Sequence, residues 1–520
     1  MINAATSLLP EMVLAQNGNT GVAEAVVTWA DFRAILPVLV LLATGTLVLL
    51  IDCFNRGLSR PEAAGNQRSS LSTIINILGL LGAVMAGALA VSSMQQPEMT
   101  AFQDSIRVDS FSSSVSLLII LGTFFSLLGA IDYLKRFDAE HGEFHCLLHY
   151  AAASMILFVQ SNNLIMLFLA VETLSMAAYL LTSYLRDQRR SVEGGLKYFI
   201  LGSFSSGFLL FGFTLIFGAT GAIELPAIAE GIAANQADQS LLLAGLALTV
   251  IGLGFKVGVF PFHSWLPDAY EAAPAVATGF MSVTIKSAAI VVLLRFLVLA
   301  ANQPGSELPV GEVLTTVLSL LAVATILYGN LVALMQNSVK RMLAYSAIGH
   351  TGYLLIGIVA ALDPGGSETA EAAVLFYLLP YTLMSVAAFT LLGYLGENGQ
   401  DRETFEDYRG LSSSRPVLAL CLLVVLVSFA GIPPTAGFWA KLHIFRAAIA
   451  GGHTWLALAG IAGSVISLYF YLRLVVNMYM RPEREEIDTD TDANFASGLV
   501  TVTAALALVI LGIFFPDIRL

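Results

Sequence analysis

Charge is scarce in this sequence. Only 12% of its 520 residues are Asp, Glu, Lys or Arg, about half the ~25% of a soluble globular domain. Cysteine is scarcer still: Cys53, Cys146 and Cys421 stand far apart, in or beside apolar runs, and no CxxC occurs. That spacing excludes the thiolate sets of iron–sulfur clusters and structural zinc, so the three cysteines read as small buried hydrophobes. His145 and His149 lie one helical turn apart, but no third ligand accompanies them, and neither a metal nor haem is expected there. The glycines of 252–258 lack the preceding strand and full spacing of a phosphate loop, so no nucleotide cradle is expected. No nucleophile–base pair and no nucleic-acid surface is legible. The first thirty residues have no basic segment followed by a compact apolar core, so no cleaved signal peptide is expected and the first span serves as the insertion signal.

What is present is apolar length. Hydrophobic residues make up 57% of the chain, and runs of about twenty recur along it, each enough to cross a bilayer as a helix. The alternating pattern of a membrane barrel is absent. The fold class is therefore an all-α polytopic membrane protein with about fourteen transmembrane helices, from Ala34–Cys53 to Gly498–Phe515. The formal charge of −12 comes mostly from acids in the loops, so it says nothing of a substrate. A polar-to-mixed lead-in precedes the first span, and Leu8–Leu14 has the look of a short interfacial piece.

Basic residues sort by side. Arg56, Arg60 and Arg68, then Lys135 and Arg136, then Arg186, Arg189 and Arg190 fall in the first, third and fifth connections. Lys340 and Arg341, then Arg402, Arg409 and Arg415, then Arg481 and Arg484 continue the alternation. In the opposite loops Arg107 stands alone, and 221–240 and 361–371 hold acids only. By the positive-inside rule the basic connections are cytoplasmic and both termini face the outer side.

Two of the spans are interrupted. The run Ile251–Ala275 carries Lys256 among Gly252, Gly254, Gly258 and Pro261, and Ser428–His443 places Gly431, Pro433, Pro434 and Gly437 before Lys441. Broken helices with a polar group point to an ion path in transporters built from inverted repeats. Five spans over 144–300 and five over 301–480 each put the broken helix fourth. An odd number of spans inverts one unit relative to the other. The expected organisation is a lead-in (1–33), three N-terminal helices (34–143), a first five-helix unit (144–300), a second, inverted unit (301–480), and a loop with a last helix (481–520).

Once the loops are set aside, the intramembrane charges are Glu172, Lys197, Lys256, Lys286 and Lys441. Three mid-span lysines and one glutamate cost roughly 10 kcal/mol to insert, comparable to the net stability of a whole domain. Structure alone rarely justifies that cost, so Lys256, Lys286 and Lys441 read as functional. The chemistry suits protons, because burial pulls a lysine toward neutrality and a nearby carboxylate pulls it back. Lys197 lies near the cytoplasmic end of its span, where a lysine also snorkels to the surface. His263, beside the first break, His350 and His443 are possible extensions of a relay, with a hydrogen-bonded core histidine as the competing reading. Asp268 and Glu271, after the break, either anchor the second half-helix or are solvated loop acids, and the latter is the expectation.

These residues carry a resemblance. LKYFILGSFSSGFLLFG, GFKVGVFPFHSWLPDAYEAAP, SVTIKSAA, KRMLAYSAIGHTGYLLIG and GIPPTAGFWAKLHIFRAAI resemble, in the same order, antiporter-like subunit N (subunit 2) of respiratory complex I, NADH:quinone oxidoreductase. The resemblance implies a proton-translocating membrane-arm subunit of a bacterial inner membrane, coupled to quinone reduction elsewhere in the complex. It implies no cofactor in this chain, with NADH, FMN, iron–sulfur clusters and quinone held by other subunits, and other complex I membrane subunits as partners. It further implies that Glu172 and Lys197 pair, that Lys256 is the central lysine, Lys286 the connecting one, and that Lys441 faces the outward exit. Two alternatives stay open: a subunit of a multisubunit cation/proton antiporter, and a non-pumping membrane scaffold.

Overall fold

The computed structural model describes residues 27–58, 64–303, 310–363, 367–396, 401–482 and 495–515. Most of the lead-in, with Leu8–Leu14, and Arg60 and Arg484 lie outside these residues, as do the side chains of Arg56 and Arg68.

A short α1 (Trp29–Ala34) leads into α2 (Leu36–Leu58) and α3 (Ala64–Met94). Next comes an antiparallel hairpin that the hydropathy pattern does not announce, β1 (Met99–Ala101) and β2 (Ile106–Val108), with Met99 opposite Val108. Its strands are three residues each, too short to register against the apolar runs on either side. Then follow α4 (Ser110–Arg136), α5 (Gly142–Gln160), α6 (Leu164–Thr182) and α7 (Arg189–Thr220). The loop after α7 holds a small amphipathic α8 (Leu225–Ala233), started by a proline in its first turn where the missing N–H costs nothing.

The first broken span is α9 (Gln239–Val257) followed by α10 (Trp265–Ala272). Asp238 caps α9, its side chain accepting the Leu241 amide at 2.9 Å. The next span is one apolar helix, Ala275–Ala301, made of α11 (Ala275–Phe280), a π-turn (Met281–Ile285) and α12 (Lys286–Ala301). After it come α13 (Val310–Leu334), α14 (Val339–Ala361) and α15 (Ser367–Tyr394). A 3₁₀ turn (Phe405–Tyr408) and α16 (Leu411–Ser414) precede the second broken span, α17 (Pro416–Ala430) and α18 (Ala436–Ala450). The chain closes with α19 (Thr454–Met480) and α20 (Phe495–Phe514).

Among the described residues thirteen helices are long and apolar enough to cross a membrane, and the divided pair α17 and α18 stands where the remaining expected span lies. Every residue of α14's most apolar stretch is buried, so the molecule is arranged around that helix. Small residues let it sit so deep: a Cβ on Gly329 of α13 would fall 2.6 Å from the Gly349 amide of α14. Close backbone approach of this kind is how helices associate where lipid is as apolar as leucine. The periphery is the reverse, with Ile165, Leu169, Met176 and Leu180 forming an exposed apolar stripe on α6 and Leu196, Ile200, Phe204 and Phe211 doing so on α7.

Candidate ion path

Both breaks are built alike. α9 ends on Gly258 and α17 on Gly431, each left-handed with φ of 78°, a conformation that a Cβ would strain. Proline follows each glycine within three residues, at Pro261 and Pro433, and denies the helix a continuation. The cut ends leave carbonyl groups without helical partners, and at membrane depth these need donors from the protein itself.

Lys256 lies in the last turn of α9 and is 3% exposed. Its Nζ donates to Ser175 Oγ at 2.7 Å and to the Tyr179 hydroxyl at 3.5 Å. Ser175 sends its own proton to the Val171 carbonyl, which leaves a lone pair for the lysine. Glu172 acts on Lys256 electrostatically and accepts a hydrogen bond from Ser206 of α7. Glu172, Ser175 and Tyr179 fall at i, i+3 and i+7, so α6 presents them on one face. A carboxylate, two hydroxyls and an ammonium thus stand in one row across α6 and α9.

Lys286 follows the π-turn and is 1% exposed. It donates to the Ala347 carbonyl at 2.5 Å and the Tyr381 hydroxyl at 3.2 Å. Lys441, on α18, reaches back over the second break: Nζ donates to the carbonyls of Phe429 (2.9 Å) and Ala430 (3.0 Å) and to Ser464 Oγ (2.8 Å). It thereby supplies the donor that the end of α17 lacks. His350 of α14 stands between them, within electrostatic reach of both lysines. Its ring nitrogens face the hydroxyls of Tyr377 at 2.6 Å and Tyr471 at 3.3 Å. His263 is buried against the rings of Phe260 and Tyr328, and its Nδ1 has no partner among the described residues. His443 packs on Phe376 and Trp439. His149 points both ring nitrogens at carbonyl oxygens, those of His145 and Gly79, and no cluster of three metal-binding side chains occurs among the described residues.

Two details differ from expectation. Lys197 is about half exposed and forms its ion pairs with Glu193 at 3.0 Å and Asp268 at 3.4 Å, while the hydrogen bond to Glu172 comes from Ser206. α7 begins only at Arg189, so a long side chain at Lys197 reaches past that end of the span, as snorkelling requires. Asp268 and Glu271 are not solvated loop acids. Both sit on α10, where Arg341 Nη1 donates to Asp268 at 2.9 Å and to Glu271 at 2.7 Å, and Arg190 pairs with Glu271 as well. They anchor the second half-helix, because α14 and α7 both begin with basic residues beside it.

Three charges escaped the sequence reading. Arg295, in the apolar run of α12, pairs with Asp109, the N-cap of α4. Lys340 is 2% exposed although it looks like a loop residue; it donates to the Ala273 carbonyl at 2.6 Å and lies 3.4 Å from Asp401. Asp132 is buried and accepts the Ser497 amide at the start of α20 at 2.8 Å. For Arg295 the signal was present, a charge inside an apolar span.

Divided membrane helices with lysines at the cuts, packed around one buried helix, define a polytopic protein of the antiporter-like class. The family model for the transmembrane part of NADH:quinone oxidoreductase and Mrp antiporters matches residues 161–467. Subunit N 1 of the NADH-quinone oxidoreductase of Herpetosiphon aurantiacus is 40% identical over 91% of this chain and 92% of its own. In a solved structure of respiratory complex I from Thermus thermophilus with bound aureothin, one chain is 30% identical, covers 92% of this chain and 97% of its own, and superposes with a TM-score of 0.73. A chain of the Mrp complex from Dietzia superposes with a TM-score of 0.77 over 93% of this chain and 95% of its own, at 20% identity, and shares the fold. The chain belongs to the subunit N family of NADH-quinone oxidoreductases.

Proposed function

We propose that this chain is a proton-translocating membrane-arm subunit of an NADH:quinone oxidoreductase, and that protons cross it by way of Glu172, Lys256, Lys286 and Lys441. Family membership supports the first part; the redox steps, with NADH, FMN, iron–sulfur clusters and quinone, belong to other subunits of the complex. The other membrane subunits are its partners.

The observation that carries the second part is Lys256. A buried ammonium at a helix break, hydrogen-bonded to two hydroxyls with one carboxylate in electrostatic reach, has partners suited to changing its charge. From there Lys286 and Lys441 flank His350, whose two nitrogens each meet a tyrosine hydroxyl. Water in the gaps completes such a file, as proton relays in membrane proteins require. Lys197 serves at the inner rim, where its pairing with α10 supports a role in proton uptake. His263 has an aromatic setting, and its Nδ1 meets no hydrogen-bond partner among the described residues, which supports a packing role. The two five-helix units, 144–300 and 301–480, each contribute one break. Lys135, Arg136, Arg189, Arg190, Lys340, Arg341, Arg402 and Arg415 all fall in or beside alternate connections, which supports a cytoplasmic face there and outward-facing termini in a bacterial inner membrane.

The test is proton pumping by the reconstituted parent complex carrying Lys256→Met, measured together with NADH:quinone turnover. Normal assembly with a sharp loss of pumping and coupled turnover is expected. Unchanged stoichiometry would reduce the broken helix to architecture. Failure to co-purify with a quinone-reducing complex would turn the assignment toward a free-standing antiporter.

A further inference from the structure

The Ala347 carbonyl of α14 faces more donors than it has lone pairs to offer. As any helical carbonyl does, it receives the amide four residues on, that of Thr351, and it has one further lone pair. Lys286 Nζ occupies that position at 2.5 Å, while Thr351 Oγ1 stands 3.2 Å from the same oxygen. Thr351 carries one hydroxyl proton and has a second acceptor, the Val257 carbonyl at 2.6 Å. Val257 is the last residue of α9, next to Lys256, and its carbonyl is one of those the break leaves without a helical partner. Thr351 is completely buried, so water does not compete for the choice.

We propose that Thr351 is a positioning residue, a hydrogen-bond switch that couples the charge on Lys286 to the cut end of α9 beside Lys256. With Lys286 charged and bonded to Ala347, the Thr351 proton goes to Val257 and holds the end of α9 closed. When Lys286 is neutral it donates more weakly, or swings away, and opens the second lone pair of Ala347. The Thr351 proton then turns to Ala347 and releases Val257. The last turn of α9 loses its tie to α14, and Lys256 is free to shift against Ser175 and Tyr179. No bond other than hydrogen bonds changes, and no partner beyond the relay is needed. The inference rests on the reading of Lys256 and Lys286 as proton carriers.

The experiment compares Thr351→Val, Thr351→Ser, Lys286→Met and the Lys286→Met/Thr351→Val double variant in the reconstituted parent complex. Protons moved per NADH and the pH profile of turnover are the readouts. Thr351→Val is expected to lower coupled pumping about fivefold, the worth of one hydrogen bond, and to shift the pH profile, with Thr351→Ser restoring both. The double variant should be no worse than Lys286→Met alone, as for two members of one device. If Thr351→Val does not assemble, Thr351→Ala takes its place in the same comparison. Normal pumping by the hydroxyl-free variant, no rescue by serine, or effects that multiply would overturn the switch. Should Lys286→Met pump normally, the carrier reading of Lys286 fails, and the switch with it. A loss confined to Lys286→Met leaves the carrier and removes the switch.

Discussion

An eight-residue helix has little stability of its own, and α10 is one; its apolar face is buried through Trp265, Leu266 and Tyr270, and its acidic face is tied down by charge. Arg341 donates to Asp268 at 2.9 Å and Glu271 at 2.7 Å. Each is a charge-assisted bond, worth about 1.5–3 kcal/mol when fully desolvated. Arg341 and Asp268 are 30% and 34% exposed and Glu271 17%, so solvent brings each bond toward the ~1 kcal/mol of a surface pair. Arg341→Met therefore costs α10 about 2 kcal/mol, or about thirtyfold in the population of its opened form. Arg190 on Glu271 and Lys197 on Asp268 remain, which is why the cost stops there. The assay is amide hydrogen exchange in the intact complex, followed on a peptide covering 259–273, where exchange tracks the local opening equilibrium. Arg341→Lys should recover part of the protection, since one ammonium cannot serve two carboxylates as a guanidinium fork does. Unchanged exchange in Arg341→Met would refute the clamp and return Asp268 and Glu271 to the status of ordinary surface acids.

Lys441→Met removes a buried charge whose three partners are two carbonyls and a hydroxyl. No opposite charge is orphaned, but the Phe429 carbonyl loses its donor, so stability should fall by only the ~1–3 kcal/mol of one buried acceptor left unpaired while the assembled complex loses proton pumping; normal pumping by the assembled variant would contradict the reading. Gly437→Ala would put a Cβ 1.9 Å from the Ser428 carbonyl oxygen. Since that neighbour is backbone, α17 and α18 must part, at a cost of about 1–3 kcal/mol or more, and membranes should contain less assembled subunit by immunoblot. Asp31 accepts from the Phe102 amide at 2.6 Å and from the Thr28 amide and hydroxyl at 2.7 Å. These bonds, the Phe102 amide first, hold its pKa below the usual 3.8. A depressed folded pKa stabilises above the unfolded value, and the gain disappears as pH falls through the folded one. Protection of 99–108, taken relative to the intrinsic exchange rate at each pH, should thus be steady near neutrality and fall only below about 3.8, whereas Asp31→Asn should be less protected at neutral pH and show no acid step.

The helical spans and both breaks were legible because hydropathy and glycine–proline punctuation act locally. Lys256 and Lys441 were legible for the same reason, as charges where apolar length allows none. What the pattern does not carry is the partner of each charge. Lys340 reads as a loop residue in QNSVKRML, yet the fold covers it with the end of α10 and with Asp401. Arg341, its neighbour, finds acids some seventy residues upstream. The hairpin after α3 was missed because its strands are too short for periodicity. Thr351 was invisible for a different reason: a threonine in a buried helix usually bonds back to its own turn, and only the break in α9 gives this one a second acceptor.

The two breaks share a glycine and a proline, but they treat their lysines differently, and the difference bears on direction. Lys256 precedes its break and turns away from the cut, toward hydroxyls on α6 and the reach of Glu172. Lys441 follows its break and turns back onto it, and its hydrogen bonds go to the carbonyls of the cut end and to Ser464. A carboxylate is itself able to take up a proton, so Lys256 has a neighbour that can share one. Carbonyl dipoles cannot, so a proton leaving Lys441 must go to water or to another group. The first arrangement suits loading and exchange, the second release. Glu172 acts on Lys256, whereas Lys286 and Lys441 are both within reach of His350, and like charges in an apolar interior repel strongly. On the proposed path, a proton arriving at Lys286 would favour departure from Lys441, both being within reach of His350. On this reasoning a carboxylate placed beside Lys441, by Ser464→Asp, should hold its proton and slow pumping without disturbing the first unit. If Ser464→Asp pumps at the normal rate, the asymmetry of the two breaks has no bearing on release.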